Sequence, residues 1–516
     1  MRKILTVILL STLLLHSIQG QSQEDRTFNI LYSRILQMRA LITLGANDKA
    51  MELAKKTNSL AHWVNTPWII RSFYQTYGSI AENQDLSTEE IATIYNEGLK
   101  VLKRIDKLEP NNEIKVKDIK EELGNMNVYL GQLYEKKSEN EKAYEFYNTA
   151  IAEDDENSYA YRVMSTMLAK NGKVDEAIKL LEKGGSIILP RDKEKSARLF
   201  NLAGVKAVDA RKYQESIDLF RKAIGIYSEE PVFYTNLGFS YGQLKFFQKQ
   251  EEILINAYNY FRKKNKDKSA NLAYNLEEYY ISQESSEKAL IYGRIAINEA
   301  PDSLIYRIKL GEYLQKIKKY DAAIDLYQSG TDYYMKKENK YSAANMINRK
   351  GLVYFEQGKN KEAIDAIYKA INLNPYKAVY YTNLAYIYNK QKDYGYAISA
   401  LQSGINTLSI SDKRSTAEML YMQAGIFIEM NDYESALNSA MKALNNYKLR
   451  GDYYLRLGTI YEKLNKKDEA MKIYKLGVKT LQNSSIDIPE ELQKKADGKE
   501  HNEENQKDAA ELEKDK

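Results

Sequence analysis

The chain has 516 residues, 43% of them hydrophobic and 28% charged, with 43 Tyr and no Cys. Without Cys it has no disulfide, no thiolate nucleophile, no Cys-ligated metal and no lipid attached through an N-terminal Cys. Its formal net charge is +5, or +3 once Arg2 and Lys3 leave with the leader described next. So balanced a chain has no nucleic-acid footprint.

Met1 to Gly20 opens with Arg2 and Lys3. It continues as an apolar run from Ile4 to Leu15 and closes with Ser17-Ile18-Gln19-Gly20. A charged start, a short greasy core and a small residue at the exit make a secretory signal peptide. The alternative is an uncleaved anchor, but the run is short for spanning a bilayer. Cleavage after Gly20 would leave Gln21 first, and no second apolar run of spanning length follows. The mature chain is therefore expected to be soluble and outside the cytoplasm.

Residues 21–124 read as loose helical pairs. Phe28 to Leu44 has Ile35, Met38 and Leu41 or Ile42 on one side, and Leu44-Gly45-Ala46-Asn47-Asp48 is a turn. Ala50 and Ala54 begin a second helix that runs to about Leu60. Trp63, Pro67 and Trp68 mark a junction, where the two Trp either pack the end of a helix array or make a ligand platform. Ile69–Ile80 and Glu89–Leu108 form another pair, ended by Glu109-Pro110-Asn111-Asn112. Lys115 to Leu123 then leads into a more regular region.

That region opens at Tyr129–Ala150. Leu130, Gly131 and Tyr134 share one face of a first helix, and Lys136 to Asn140 makes the turn. Ala143, Tyr147 and Ala150 share one face of a second helix. A helix-interior Gly costs about 1 kcal/mol relative to Ala, so Gly131 implies close packing. The second-helix position recurs at Ala143, Ala177, Ser216, Gln250, Ala289, Ala323, Ala363, Ala397, Ala436 and Ala470. The first-helix small residue recurs at Gly131, Ser165, Gly204, Gly238, Gly311, Gly351, Ala385, Ala424 and Gly458, while Glu277 breaks the rule and implies looser packing.

This pattern resembles the tetratricopeptide repeat, a helix–turn–helix unit with L-G-x-x-Y in its first helix and A-x-x-x-F-x-x-A in its second. The resemblance covers ten units over residues 125–482. It implies an all-α solenoid, a right-handed superhelix of antiparallel helix pairs. Residues 21–124 become its degenerate N-terminal cap, and 483–516 a capping segment with a charged tail.

The gaps between the second-helix positions are 34, 39, 34, 39, 34, 40, 34, 39 and 34 residues. The extra residues fall in every second connection, where Ser196, Ser269, Ser342 and Ser415 recur 73 apart. The expected structural unit is thus a pair of repeats. These connections place Arg262, Lys263, Lys264, Lys266, Lys268, Lys336, Lys337, Lys340, Lys413 and Arg414 along one edge. They read as solvated loops with Ser as N-cap, or as a basic edge for an acidic partner. A fainter echo at twice the period repeats Tyr234-Thr235-Asn236-Leu237 as Tyr381-Thr382-Asn383-Leu384.

In proteins of this family the first helices line a concave face. That implies a partner-binding groove with Asn201, Thr235, Phe239, Tyr274, Asn348, Thr382, Tyr386, Asn389 and Tyr421. Such a lining suits an extended peptide or a helix from another protein. The chaperone-docking members grip a C-terminal carboxylate with Lys three before the small residue and Asn one after it, and that pairing is absent here. The many Tyr invite a glycan or small-ligand reading, as a component of an uptake system, but most stand where repeat packing wants an aromatic.

Outside the leader only His62 and His501 exist, one in the cap and one in the tail. The glycines lack nucleotide-binding context, and no Ser stands in G-x-S-x-G. No cofactor or metal is expected. Ile486 to Gln493 reads as a short helix begun by Pro489, and Lys494 to Lys516 as a disordered or frayed charged end. The expectation is a non-enzymatic, exported protein-interaction scaffold in the periplasm or at the outer surface of a Gram-negative bacterium. It would have no nucleic-acid partner and no membrane span after signal cleavage.

Overall fold

The computed structural model describes residues 23–108, 113–484 and 486–498. The leader, His501 and most of the charged tail lie outside them. Every element among the described residues is a helix, and the chain divides into two compact units, Met1–Tyr279 and Tyr280–Lys516.

The first unit opens with two helix pairs, α1 (Gln23–Thr43) with α2 (Asn47–Ala61) and α3 (Pro67–Asn83) with α4 (Thr88–Leu108). Pro67 begins α3, where its missing N–H costs no hydrogen bond. Next come α5 (Glu113–Lys136), α6 (Asn140–Glu153), α7 (Ser158–Lys170) and α8 (Val174–Ile188). The unit continues with α9 (Lys193–Asp209), α10 (Tyr213–Ile226), α11 (Pro231–Gln243) and α12 (Phe247–Phe261). The stretch read as a lead-in at Lys115–Leu123 is the opening of α5, one continuous 24-residue helix. The chain passes from one unit to the other within α13 (Lys266–Ser282), on which Glu277 is fully buried.

The second unit contains α14 (Ser286–Glu299), α15 (Leu304–Lys316), α16 (Tyr320–Lys336), α17 (Lys340–Glu356), α18 (Asn360–Leu373) and α19 (Ala378–Lys390). It ends with α20 (Tyr394–Leu408), α21 (Lys413–Glu429), α22 (Tyr433–Asn446), α23 (Gly451–Lys463), α24 (Lys467–Asn483) and α25 (Glu490–Ala496). The terminal helix runs past the expected Gln493. Leu492 is fully buried and Ala496 nearly so, and Lys495 pairs with Glu462 at 3.4 Å. Lys494 to Ala496 are therefore ordered by the seat they find.

Each regular pair turns through one residue in the left-handed region. These are Ser138, Gly172, Arg211, Lys245, Glu284, Lys318, Gly358, Lys392, Asn431 and Asn465. Each stands five residues before the second-helix Ala position. Gly45 and Asp85 take the same conformation between α1 and α2 and between α3 and α4. Only two of the ten are Gly, so most of these turns hold an L side chain in a conformation it resists.

The Gly positions on first helices receive a second-helix ring. A Cβ on Gly131 would lie 2.5 Å from Tyr147, on Gly204 2.5 Å from Phe220, on Gly311 2.2 Å from Tyr327 and on Gly458 2.1 Å from Tyr474. All four rings are fully buried. Burying such a side chain stabilises by about 1.5–3 kcal/mol, so the approach that Gly permits outweighs its cost in helix propensity.

The long period has a structural cause different from the expected one. Helices α9, α13, α17 and α21 have 17 residues, whereas α7, α11, α15, α19 and α23 have 13. The added residues are mostly one more helical turn. The Ser-containing ends of the connections read as solvated loops are thus the first turns of long helices. Nor is the recurring Ser the cap. Asp192 accepts from the Lys195 amide at 2.8 Å, Asn265 from Lys268 at 3.0 Å, Asn339 from Ser342 at 3.0 Å and Asp412 from Ser415 at 3.0 Å. The Ser lie inside the helix, and those at 196, 269 and 342 are buried. Sequence reading placed the cap three or four residues late because Ser, Asp and Asn are all good caps.

A second recurring bond fixes the connections on the short side of the period. Tyr234, Tyr381 and Tyr454 donate their hydroxyls to the carbonyls of Ser228, Pro375 and Lys448 at 3.2, 3.0 and 3.1 Å. In register with them, the buried Arg307 donates to the carbonyl of Pro301.

Candidate functional site

The expected groove residues divide between the two units. In the first, Asn201 on α9 accepts from Asn236 Nδ2 on α11 at 2.9 Å. Thr235 returns its hydroxyl to the Val232 carbonyl at 3.0 Å. Phe239 is 49% exposed and Val232, two helical turns before it, 45%. Tyr274 on α13 is half-buried.

The second unit repeats this arrangement. Asn348 on α17 accepts from Asn383 Nδ2 on α19 at 3.0 Å. Thr382 bonds to the Val379 carbonyl at 3.1 Å. Val379 and Tyr386 are each 46% exposed, and Tyr386 meets Phe355 edge-on with centroids 5.7 Å apart. Asn389 donates to both carboxylate oxygens of Glu429 at 3.3 Å. Tyr421 has less room for a partner. The Tyr453 ring stacks on it at 4.9 Å, and the Arg456 guanidinium lies 3.5 Å from its centroid while donating to its carbonyl at 2.6 Å. Burial holds Arg456 below the usual guanidinium range.

Asn236, Asn383, Val232 and Val379 were not among the expected residues. The signal for them was the echo at twice the period, which contains both Asn. The Val stand two residues before each copy.

The proposed basic edge is partly occupied. Lys264 pairs with Glu229 at 2.8 Å and lies 4.0 Å from the Tyr260 centroid, while Lys268 donates to the Glu229 carbonyl. Arg262, Lys337 and Arg414 lie over Tyr258, Tyr333 and Tyr447. The two Trp have separate settings. Trp68 packs edge-on to Phe28 at 5.9 Å and Tyr32 at 6.2 Å, while Trp63 is 72% exposed. His62 Nε2 lies 3.2 Å from Glu97. Among the described residues no group of three His, Asp or Glu is placed to hold a metal ion.

A cavity of about 1090 Å³ in the first unit lies against α5, α6 and α8. Lys117, Lys120, Lys183 and Arg191 face Glu153, Asp154, Asp155 and Glu156 across it. Glu156 is held by Lys117 at 3.6 Å and by Arg191. Burial, with Glu121 and Asp155 nearby, pushes the Asp154 carboxyl up to about 6. In the second unit, grooves of about 390 and 370 Å³ stand one period apart. Ile347, Lys350 and Tyr354 line one, and Leu420, Gln423 and Phe427 occupy the same register in the other.

Tetratricopeptide-repeat profiles match residues 308–378 and 451–480. No curated protein matches the chain. Among solved structures it is similar to the MamA protein, at 19% identity and TM-score 0.28, over 35% of this chain and 93% of that one. It is also similar to BtubC from P. vanneervenii, at 14% identity and TM-score 0.34, over 41% and 94%. The C-terminal part of a TPR repeat-containing protein from Cytophaga hutchinsonii matches at 15% identity and TM-score 0.32, over 49% and 98%. These TM-scores are low, so the assignment rests on the two profile matches, the all-helical pairs and the left-handed turn repeated at the same register. The chain is a tetratricopeptide-repeat protein.

Proposed function

We propose that this protein is an exported, non-catalytic scaffold of a Gram-negative cell envelope, holding segments of other proteins against the faces of its first helices. One observation carries the reading: the half-exposed Phe239 and Tyr386 project beside side-chain amides on otherwise well-packed helices. Aromatic side chains next to adaptable hydrogen-bonding groups are what peptide-binding surfaces use. Export is supported by the pattern of Met1–Gly20. No described helix is long and apolar enough to cross a membrane.

Two measurements test this. N-terminal sequencing of the protein from its native envelope should begin at Gln21. A cross-linked pull-down from envelope extracts should enrich specific proteins with the wild-type chain and lose them with Phe239→Ala/Tyr386→Ala. Equal recovery by both would remove the first-helix faces from the account. Glycan binding is the second reading, favoured by Tyr376 and Tyr396, which are 71% and 65% exposed. Retention of a glycan by wild type but not by Tyr376→Ala/Tyr396→Ala would establish it instead.

A further inference from the structure

We infer that the protein carries two equivalent peptide sites, one in each unit, that read the same short segment. That segment is an extended, uncharged stretch of a partner with apolar side chains three residues apart. This rests on the scaffold reading and specifies what the scaffold holds.

The two sites are the exposed faces of α11 and α19. Each offers a Val in its first turn, a Thr and an Asn in its middle and an aromatic ring two turns on. The exposures agree closely, at 45 and 49% for Val232 and Phe239 and 46% for both Val379 and Tyr386. In each, the Asn donates to an Asn of the preceding long helix, at 2.9 Å in one site and 3.0 Å in the other.

Packing alone does not require this set. The chain has three other 13-residue first helices, and none repeats it. In α7 the three positions are Tyr159, Val163 and Thr166, in α15 Ile305, Lys309 and Glu312, and in α23 Asp452, Arg456 and Thr459. All three helices pack without the Asn bridge, so the bridge serves something other than stacking.

The chemistry names the occupant. An Asn amide has two donors and a carbonyl with two lone pairs, and each bridge uses one donor and one acceptor. Asn348 is 5% exposed, and among the described residues no hydrogen bond from its own Nδ2 is seen. Each bridge thus leaves an Nδ2 of one amide and the Oδ1 of the other unused by the pair, side by side, the complement of one peptide unit of an extended chain. The Val and the ring are seven residues apart on a helix, about 10 Å along its axis. An extended chain of the polyproline II type covers that distance in about three residues, one full turn, so side chains three apart point the same way. Neither bridge includes a charged side chain. Arg349, where the first site has Leu202, is engaged by Glu312 at 2.9 Å. A neutral apolar segment is therefore favoured over an acidic or basic one.

The test uses the full chain and a phage-displayed library of random 12-residue peptides. Selection against Val232→Ser/Phe239→Ala leaves only the second site, and selection against Val379→Ser/Tyr386→Ala only the first. Both should converge on one motif with apolar residues three apart. A synthetic peptide of that motif should bind wild type at two per chain and each variant at one per chain by calorimetry. Loss at the altered site should be about tenfold or more, the scale of one lost aromatic anchor. The single variants Val232→Lys and Val379→Lys, at half-exposed side chains, repeat the test with each ring left in place. Two unrelated motifs, or one peptide per wild-type chain, would overturn the equivalence and leave the scaffold reading intact. No motif from either selection would defeat both.

Discussion

Asp154 and the first-helix glycines show how much one side chain decides. Burial raises the Asp154 carboxyl to about 6 from an ordinary 3.8, so the folded chain holds that proton more tightly than the unfolded one. Its stabilising contribution is present below about pH 3.8 and is lost as pH rises through about 6. Asp154→Asn keeps the carbonyl that accepts from the Glu156 amide and removes the buried charge. Chemical denaturation at pH 7 should find it more stable by about 1 kcal/mol, after discounting for partial exposure, with the advantage gone by pH 4. For the glycines, the ring contact outweighs helix propensity at Gly458 and not at Gly238. Gly458→Ala drives a methyl into the buried Tyr474 ring and should cost about 1–3 kcal/mol. Gly238→Ala meets no ring, only the branched ends of Leu254 at 3.3 Å and Ile253 at 3.5 Å, and should be neutral or gain up to about 1 kcal/mol in helix propensity. Thermal melts of the two variants, with opposite signs, check the argument.

At the scale of the element, turns and caps set where each helix begins and ends. Lys245, Lys318 and Lys392 are exposed and hold φ values of 61°, 59° and 64°. Each change to Gly should stabilise by about 0.5–1 kcal/mol, because relief of left-handed strain exceeds the extra freedom of the unfolded chain. The triple variant should melt higher than wild type, and a lower melting temperature would refute the strain argument. The caps make the reverse case. Ser415 bonds Asp412 through its amide and its hydroxyl, at 3.0 and 2.6 Å, and holds that carboxyl below the usual range. Asp412→Ala should cost about 1 kcal/mol and raise amide exchange in the first turn of α21. The ends of the long helices were misread from the sequence because Lys-rich, Ser-containing strings suit a loop and a helical first turn equally well. What places them in a helix is the seat that buried Ser196 finds, donating to the Gly185 carbonyl at 2.7 Å.

For the molecule as a whole, repeats that pack on sequence neighbours couple only locally. Gly458→Ala should therefore loosen α23 and α24 and leave exchange protection across residues 23–279 unchanged. Mass-spectrometric hydrogen exchange on the intact chain measures this, and a uniform loss in both units would show cooperativity beyond nearest neighbours. The same modularity lets one surface be written twice, since α11 and α19 are each positioned by their own long neighbour, α9 or α17.

The order of helices, the period and the small-residue positions were legible from the sequence alone, because packing at fixed intervals restricts side-chain size at those intervals. The register of the left-handed turns was not. At eight of the ten regular turns the residue is not Gly, so strain is tolerated where tertiary packing overrides local preference. The candidate groove was legible only in part. Side-chain spacing names the residues that face outward, but only the folded chain shows that Tyr421 lies between a ring and a guanidinium while Phe239 and Tyr386 are left half-exposed. Neighbouring helices decide which side chains are covered, and they come together only in three dimensions.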